Sequence, residues 1–450
     1  MGPPSAQLEP FALKAHHYGR ITGVSMAVHS IPDAFLLLHT GVGCKYKAAA
    51  QLSVHDWARQ PHRREGWTEA GDAALIRGAV ERIGPYVRSW YDRQQPGLII
   101  VSTASHLEMA GEDIAGAVRQ ADATVPCPVR YVHGLGFEGD LYDGYRAVLS
   151  TVIDELPWTD VKPEKGHVAV VGYPFDRYES DHSANLHQLR NLLREVGQEL
   201  TAVLFSGQPT GRLAAAARAE TLLVLPYAHS LADQLATTGR RVVKTDLPVG
   251  LRCTTAWLDH LARELGADHR KVAASARRLA GYADQELNLL RTRLTSGRSA
   301  VFAETPLAAG LTDLVSGLGL DPVLVGLRDR SLGGAAAFRR GLAQADLELR
   351  PDAVLLEDPS LWSARAHLRD GLRERQVVAV LGSAAELGGL THGSLAEQTA
   401  HGPRIHRFAP LILGFPSSGH HAVQSQPTYG YGGAVTIAQR LLDALFSGQA

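Results

Sequence analysis

The chain has only three cysteines in 450 residues, Cys44, Cys127 and Cys253. They are far apart and odd in number, which excludes a disulfide framework. No Cys-x-x-Cys pair occurs, so the chain alone cannot supply a cysteine-only, four-ligand metal site, and any cluster would borrow ligands from another chain. Charge of one sign is also missing. The formal net charge of −1 gives no global attraction to nucleic acid or an anionic membrane surface. No apolar run is long enough to span a bilayer, and the opening MGPPSAQLEPF lacks the basic and apolar regions of a signal peptide. The cytoplasm is therefore the expected location. The phosphate loop G-x-x-x-x-G-K-[ST] is absent, so ATP hydrolysis by this chain is not expected. The elbow G-x-S-x-G is absent too, which argues against a hydrolase of that type.

What is present is an ordinary globular composition, 45% hydrophobic and 20% charged, on a chain too long for one core. Short apolar runs bounded by Gly, Pro or polar residues alternate with helix-length segments. Strands are expected at Phe35–Leu38, Leu98–Ser102, Val129–Val132, Val168–Gly172, Leu200–Phe205, Thr221–Leu225, Val242–Lys244, Ala300–Phe302, Pro322–Val325, Ala353–Leu356, Val377–Leu381 and Pro410–Gly414. Helices are expected at Ala73–Arg88, Tyr142–Leu156, Ser183–Val196, Thr254–Leu265, Asp268–Thr295 and Val435–Phe446. This alternation predicts an α/β protein of three Rossmann-like, doubly wound parallel-sheet domains. The polar stretch PWTDVKPEKG and the restart SAVFAE place them at 1–160, 161–295 and 296–450.

Ligands of such sheets sit outside the carboxyl ends of the strands, so the loops there carry the functional candidates. In HTGVGCKYK, residues 39–47, Gly41 and Gly43 allow close backbone approach, and Lys45 and Lys47 favour a Cys44 thiolate. Residue type alone leaves Cys44 open between a ligand and a small buried side chain at a strand end. Packing is the expected role of Cys127, between two prolines, and of Cys253, near a helix start. His17 in AHHYGR is a candidate proton donor or substrate contact, whereas His420 reads as a solvated loop residue. GLGFEG, 134–139, has the dinucleotide spacing, but the acid that should follow falls inside a helical run, so nucleotide binding is not expected there.

Taken in order, five stretches resemble the nitrogenase component 1 superfamily: HTGVGC (39–44), STASHLEMAGEDI (102–114), GLGFEGDLYDG (134–144), LPVGLRCTTAWL (247–258) and the closing GFPSSGHHAVQSQPTYGYGGA (414–434). Of the cluster cysteines in the family's first domain, the resemblance keeps the middle one, Cys44. The first falls near AHHYGR and the third on Ser105, which would hydrogen-bond to a cluster or fill its space. One remaining ligand is similar to the second subunit of the dark-operative protochlorophyllide and chlorophyllide reductases. That resemblance implies a [4Fe–4S] cluster shared with a homologous three-cysteine subunit in an α2β2-like assembly, with Cys44 as this chain's ligand and Gly41, Gly43 and Ser105 beside it. A separate P-loop iron–sulfur protein would use ATP and deliver electrons. His17 and His39 would be proton donors to a small-molecule substrate, a tetrapyrrole or another unsaturated compound. The same family contains assembly scaffolds, and a non-catalytic scaffold for a metal cofactor is the alternative. Glu108, Glu112 and Asp113 read as helix-capping residues.

Overall fold

The computed structural model describes residues 19–41, 64–71, 78–134, 139–173, 181–292, 297–329, 331–383, 385–388, 393–399, 402–413 and 425–447. The chain divides into two compact units. One contains the described residues within 18–178 and 197–245, the other those within 179–196 and 246–450.

The first unit carries two parallel sheets. Strands β1 (Ala34–His39), β2 (Glu65–Trp67), β3 (Leu98–Thr103) and β4 (Val129–Val132) form a sheet in the order β2-β1-β3-β4. All six residues of both β1 and β3 are buried, which is why they read as unbroken apolar runs: helices cover both faces of a parallel sheet. Register places Leu38 opposite Trp67 and Ser102, and His39 opposite Thr103. Strands β5 (Glu164–Val171), β6 (Glu199–Val203), β7 (Ala219–Val224) and β8 (Arg241–Lys244) form the second sheet, ordered β6-β5-β7-β8.

The second unit holds β9 (Arg298–Ala303), β10 (Asp321–Leu327), β11 (Val354–Glu357) and β12 (Val377–Gly382), then a hairpin of β13 (Ser394–Thr399) and β14 (Gly402–Arg407), then β15 (Ala409–Ile412). Its parallel sheet is ordered β11-β10-β9-β12-β15, and the hairpin is antiparallel. The expected α/β class with three doubly wound parallel sheets is thus what the chain forms, and the twelve expected strands are β1, β3 to β12 and β15. No helix among the described residues is long and apolar enough to cross a membrane.

One expected helix is displaced. Of Ala73–Arg88, residues 73–77 lie outside the described residues, and from 78 onward the chain shows a 3-10 turn at Val80–Arg82 and a helix at Ile83–Gln94. Pro85 explains the shift: without an N–H, and with a ring that clashes one turn back, it is tolerated only in the first turn. The helix ends where Gln95 takes a left-handed conformation, φ 46°.

Two close approaches fix what borders the first sheet. Helix Arg20–His29 crosses helix Leu141–Glu155 at Gly23 and Gly144. A Cβ on Gly23 would lie 1.8 Å from the Leu141 carbonyl oxygen, and one on Gly144 would lie 1.9 Å from that of Arg20. The backbones therefore touch, and no side chain fits at either position. In the other unit, the Asn185 side-chain oxygen accepts from the N–H groups of Thr428 (2.8 Å) and Tyr429 (3.0 Å), seating the entry to helix Gly430–Ser447.

Candidate functional site at the carboxyl edge of the first sheet

A doubly wound sheet binds ligands where its strand order reverses, at the carboxyl ends of the two strands flanking that point. Each of the three sheets has one such point: between β1 and β3, between β5 and β7, and between β9 and β12. In the second sheet the backbone after β5 lies against the turn after β7. Gly172, at φ 83°, lies so close to Ala228 and Leu225 that a Cβ would sit 2.6 Å from the Ala228 methyl, and the Leu225 N–H bonds the Val171 carbonyl at 2.9 Å. In the third sheet an ion-paired cluster lies there. Arg328 donates to Glu304 at 3.0 Å and lies 3.9 Å from Glu386, which accepts from the Ser383 N–H at 2.9 Å.

At the first sheet's reversal three buried polar atoms have no hydrogen-bond partner among the described residues, His39 Nε2, Ser102 Oγ and Glu108 Oε2; single ones occur past strands of the other sheets, Thr245 Oγ1 after β8 and Thr305 Oγ1 after β9. An unsatisfied buried polar atom costs about 1–3 kcal/mol, so three at one strand edge point to a group that the described residues do not supply.

His39 ends β1 and is fully buried. Its Nδ1 lies 2.9 Å from Thr68 Oγ1, which also accepts from the Thr40 N–H at 3.2 Å. Burial lowers the His39 pKa from 6.5 to about 4; the Glu112 carboxylate opposes this, while His106 and Arg82 add to it. The imidazole is therefore neutral near pH 7. Arg82 donates to the carbonyls of Thr68 and Glu69, both at 3.0 Å, and fixes the chain leaving β2. Gly41 faces the loop after β3. A Cβ there would lie 3.2 Å from the Ala70 carbonyl and 3.6 Å from His106 Nε2.

Beyond β3, Ser105 opens the short helix Ser105–Glu108. The two acids that follow it are caps, as the sequence suggested. Glu112 accepts from the N–H groups of Ala79 and Val80, and Asp113 accepts from Gly116 N–H at 2.7 Å. Glu108 is not a cap at all. Its Oε1 accepts from the Thr103 hydroxyl, from the Tyr131 hydroxyl at 3.0 Å and from the Gly134 N–H at 3.0 Å. It thus ties the loops after β3 and β4 together, and Tyr131 is held in its phenol form by burial and by this carboxylate. Arg20 donates to the His133 carbonyl at 3.0 Å from the opposite side.

Of the residues singled out from sequence, His39, Gly41 and Ser105 come to this one edge. His17, Gly43 and Cys44, with Lys45 and Lys47, lie outside the described residues. Thr68, Thr103, Tyr131 and Arg20 were not anticipated. Thr68 follows a strand of only three residues, too short to show as a pattern, and the others gain meaning only from their partners. Of the glycines of GLGFEG, Gly136 lies outside the described residues and the other two have local causes. A Cβ on Gly134 would meet the Thr103 carbonyl at 2.2 Å, and Gly139 takes φ 87° against Asp143. Cys127 is buried in the first-sheet core, and burial raises its thiol pKa. Burial and Asp313 raise that of Cys253. No group of three or more metal-ligating side chains occurs among the described residues.

The family model "Nitrogenase component 1 type Oxidoreductase" matches residues 20–446. The chain belongs to that family. It is 23% identical to the nitrogenase iron-iron protein beta chain of Rhodobacter capsulatus, over 94% of this chain and 92% of that one. It is 24% identical to subunit N of the light-independent protochlorophyllide reductase of Heliobacterium modesticaldum, over 88% and 91%. The solved structure of nitrogenase Cp1 at pH 6.5 shares the fold, with a TM-score of 0.75 at 14% identity, covering 99% of this chain and 95% of that chain. The nitrogenase component 1 match takes in all three sheets, and with them the edge built by His39, Gly41, Ser105 and Glu108.

Proposed function

We propose that this chain is one subunit of a nitrogenase-like reductase, and that the carboxyl edge of its first sheet helps hold an iron–sulfur cluster at the junction with a homologous partner. The observation that carries this reading is the orphaned, buried His39 Nε2 at the reversal of the first sheet, in a chain of the nitrogenase component 1 family. These residues fit such a group. His39, Ser102 and Glu108 offer unpartnered buried polar atoms at that edge. The ligand from this chain would be Cys44, with three cysteines from the partner, as a [4Fe–4S] cluster requires. When bound, such a cluster supplies one-electron transfer.

The chain's own contribution is positional. Thr68 and Arg82 fix the approach of the 39–41 loop. Glu108 holds the loops after β3 and β4 against each other, and Ser105 stands at the start of the first of them. Electrons would come from a separate ATP-using iron–sulfur protein. The substrate would be a small unsaturated molecule, with a tetrapyrrole as one class.

The test is anaerobic co-expression with a three-cysteine homologue. Iron, sulfide and EPR signal are compared between the wild-type complex and Cys44→Ala, and then turnover with the iron protein, MgATP and a reductant. Loss of most of the cluster in Cys44→Ala, with ATP-dependent reduction by the wild type, is expected. Unchanged cluster content in the variant overturns the ligand assignment. A stable cluster with no turnover of any candidate substrate favours the scaffold reading.

A further inference from the structure

The hydrogen bonds around His39 decide which of its nitrogens carries the proton. Thr68 Oγ1 is buried and has two neighbours among the described residues, the Thr40 N–H and His39 Nδ1. The amide can only donate, so Oγ1 accepts from it. The hydroxyl proton then needs an acceptor, and Nδ1 is the one within reach. If Thr68 donates to Nδ1, the ring proton sits on Nε2 and a single group is left unpaired, the Nε2–H. If Nδ1 carried the proton instead, Oγ1 would accept twice, and both the Thr68 O–H and the Nε2 lone pair would be stranded in the interior. The first arrangement leaves one orphan and the second leaves two, at about 1–3 kcal/mol each.

We propose that Thr68 fixes His39 as its Nε2–H tautomer, so that the ring presents one hydrogen-bond donor, and no lone pair, to an electron-rich sulfur at the strand-order reversal of the first sheet. This rests on the reading above for the identity of the acceptor, a cluster sulfide or ligand thiolate, but not for the tautomer. A donor there stabilises the more negative, reduced state of the group it touches. It also removes His39 as a general base or metal ligand at that edge, since the ring's one lone pair, on Nδ1, is engaged by Thr68. The neutral N–H is too weak an acid to deliver a proton, so His39 tunes the site while other groups supply protons. Thr68 is the positioning residue, acting through His39.

The tautomer is read on the full chain without cluster, labelled with 15N-histidine, by long-range nitrogen–proton correlation near neutral pH. The His39 signals are those missing in His39→Gln. The expected result is a neutral ring protonated at Nε2, with the preference lost in Thr68→Val and kept in Thr68→Ser. An Nδ1–H ring in the wild type overturns the proposal, even if Thr68→Val does not fold. In the anaerobic complex, the midpoint potential of Thr68→Val moves to more negative values, while that of Thr68→Ser stays with the wild type. An unchanged potential in Thr68→Val overturns the sulfur acceptor. A complex that binds no iron sinks the functional reading and leaves the tautomer result standing, so the two failures are distinguishable.

Discussion

His39 and Glu65 sit in one sheet and pull stability in opposite directions with pH. Burial raises the Glu65 carboxyl from 4.5 to about 7, against the opposing Ser25 hydroxyl and Arg64. His29 Nδ1 lies 3.7 Å from it. A carboxyl raised on folding stabilises most below its unfolded value, and that contribution is lost as the pH climbs from 4.5 through about 7, by about 3 kcal/mol. His39, lowered from 6.5 to about 4, does the reverse: its contribution is complete above 6.5 and is lost as the pH falls toward 4. Urea midpoints across this range should therefore separate them. Relative to wild type, Glu65→Gln gains stability as the pH rises and His39→Gln gains it as the pH falls; parallel curves would refute both assignments. At Glu108, truncation to Ala strands the donors of Thr103, Tyr131 and Gly134, and a loss of about 3 kcal/mol is expected by denaturant unfolding. Glu108→Gln, which still offers an acceptor oxygen, should lose less. None of these partnerships has a pattern in the sequence, because each joins residues 20 or more positions apart or depends on which atom of an acid faces inward.

At the scale of elements, the chain was far more legible. Long parallel strands are buried on both faces, so each shows as an apolar run. β2, β13 and β14 escaped, for different physical reasons. β2 has three residues, one of them the buried Glu65. The hairpin β13–β14 carries polar and charged side chains with exposed Ile405, so no apolar run marks it. The Pro85 shift shows the same limit from the other side, since periodicity says that a helix exists and a single ring says where it begins. The glycine crossing of helices Arg20–His29 and Leu141–Glu155 is the element contact most open to test. Gly144→Val forces a side chain against the Arg20 carbonyl and should cost at least about 2 kcal/mol, and with it the Arg20 anchor on His133. An unfolding midpoint equal to wild type would mean that the helices do not cross there. Asn185→Ala leaves the Thr428 and Tyr429 N–H groups without their acceptor, and a loss of about 2 kcal/mol is expected from the same measurement.

At the scale of the whole molecule, three sheets of one architecture end in three different settings. Sequence marks all three strand-end regions alike, because each is a loop after an apolar run. What distinguishes the first is the number of unpartnered polar atoms gathered at its reversal, which only coordinates reveal. The second brings backbone into close contact, the third carries Arg328 between Glu304 and Glu386, and the first gathers three orphaned atoms among the described residues. If that difference reflects use, stability and cofactor loading should come apart when the edges are altered separately. Arg328→Met leaves Glu386 and Glu304 buried without their counter-charge, and should destabilise by about 3–5 kcal/mol while iron per folded complex stays at the wild-type level. Gly41→Val should do the opposite. Its Cβ meets the Ala70 carbonyl at 3.2 Å, which a small shift relieves, so stability changes little. The added methyl groups crowd the loop after β1 at the proposed edge, and iron per complex should fall at least about tenfold, a penalty of 1.4 kcal/mol or more on cluster binding. Metal analysis and urea unfolding on the same two preparations decide the matter: iron lost with Arg328→Met, or retained with Gly41→Val, would move the functional edge away from the first sheet.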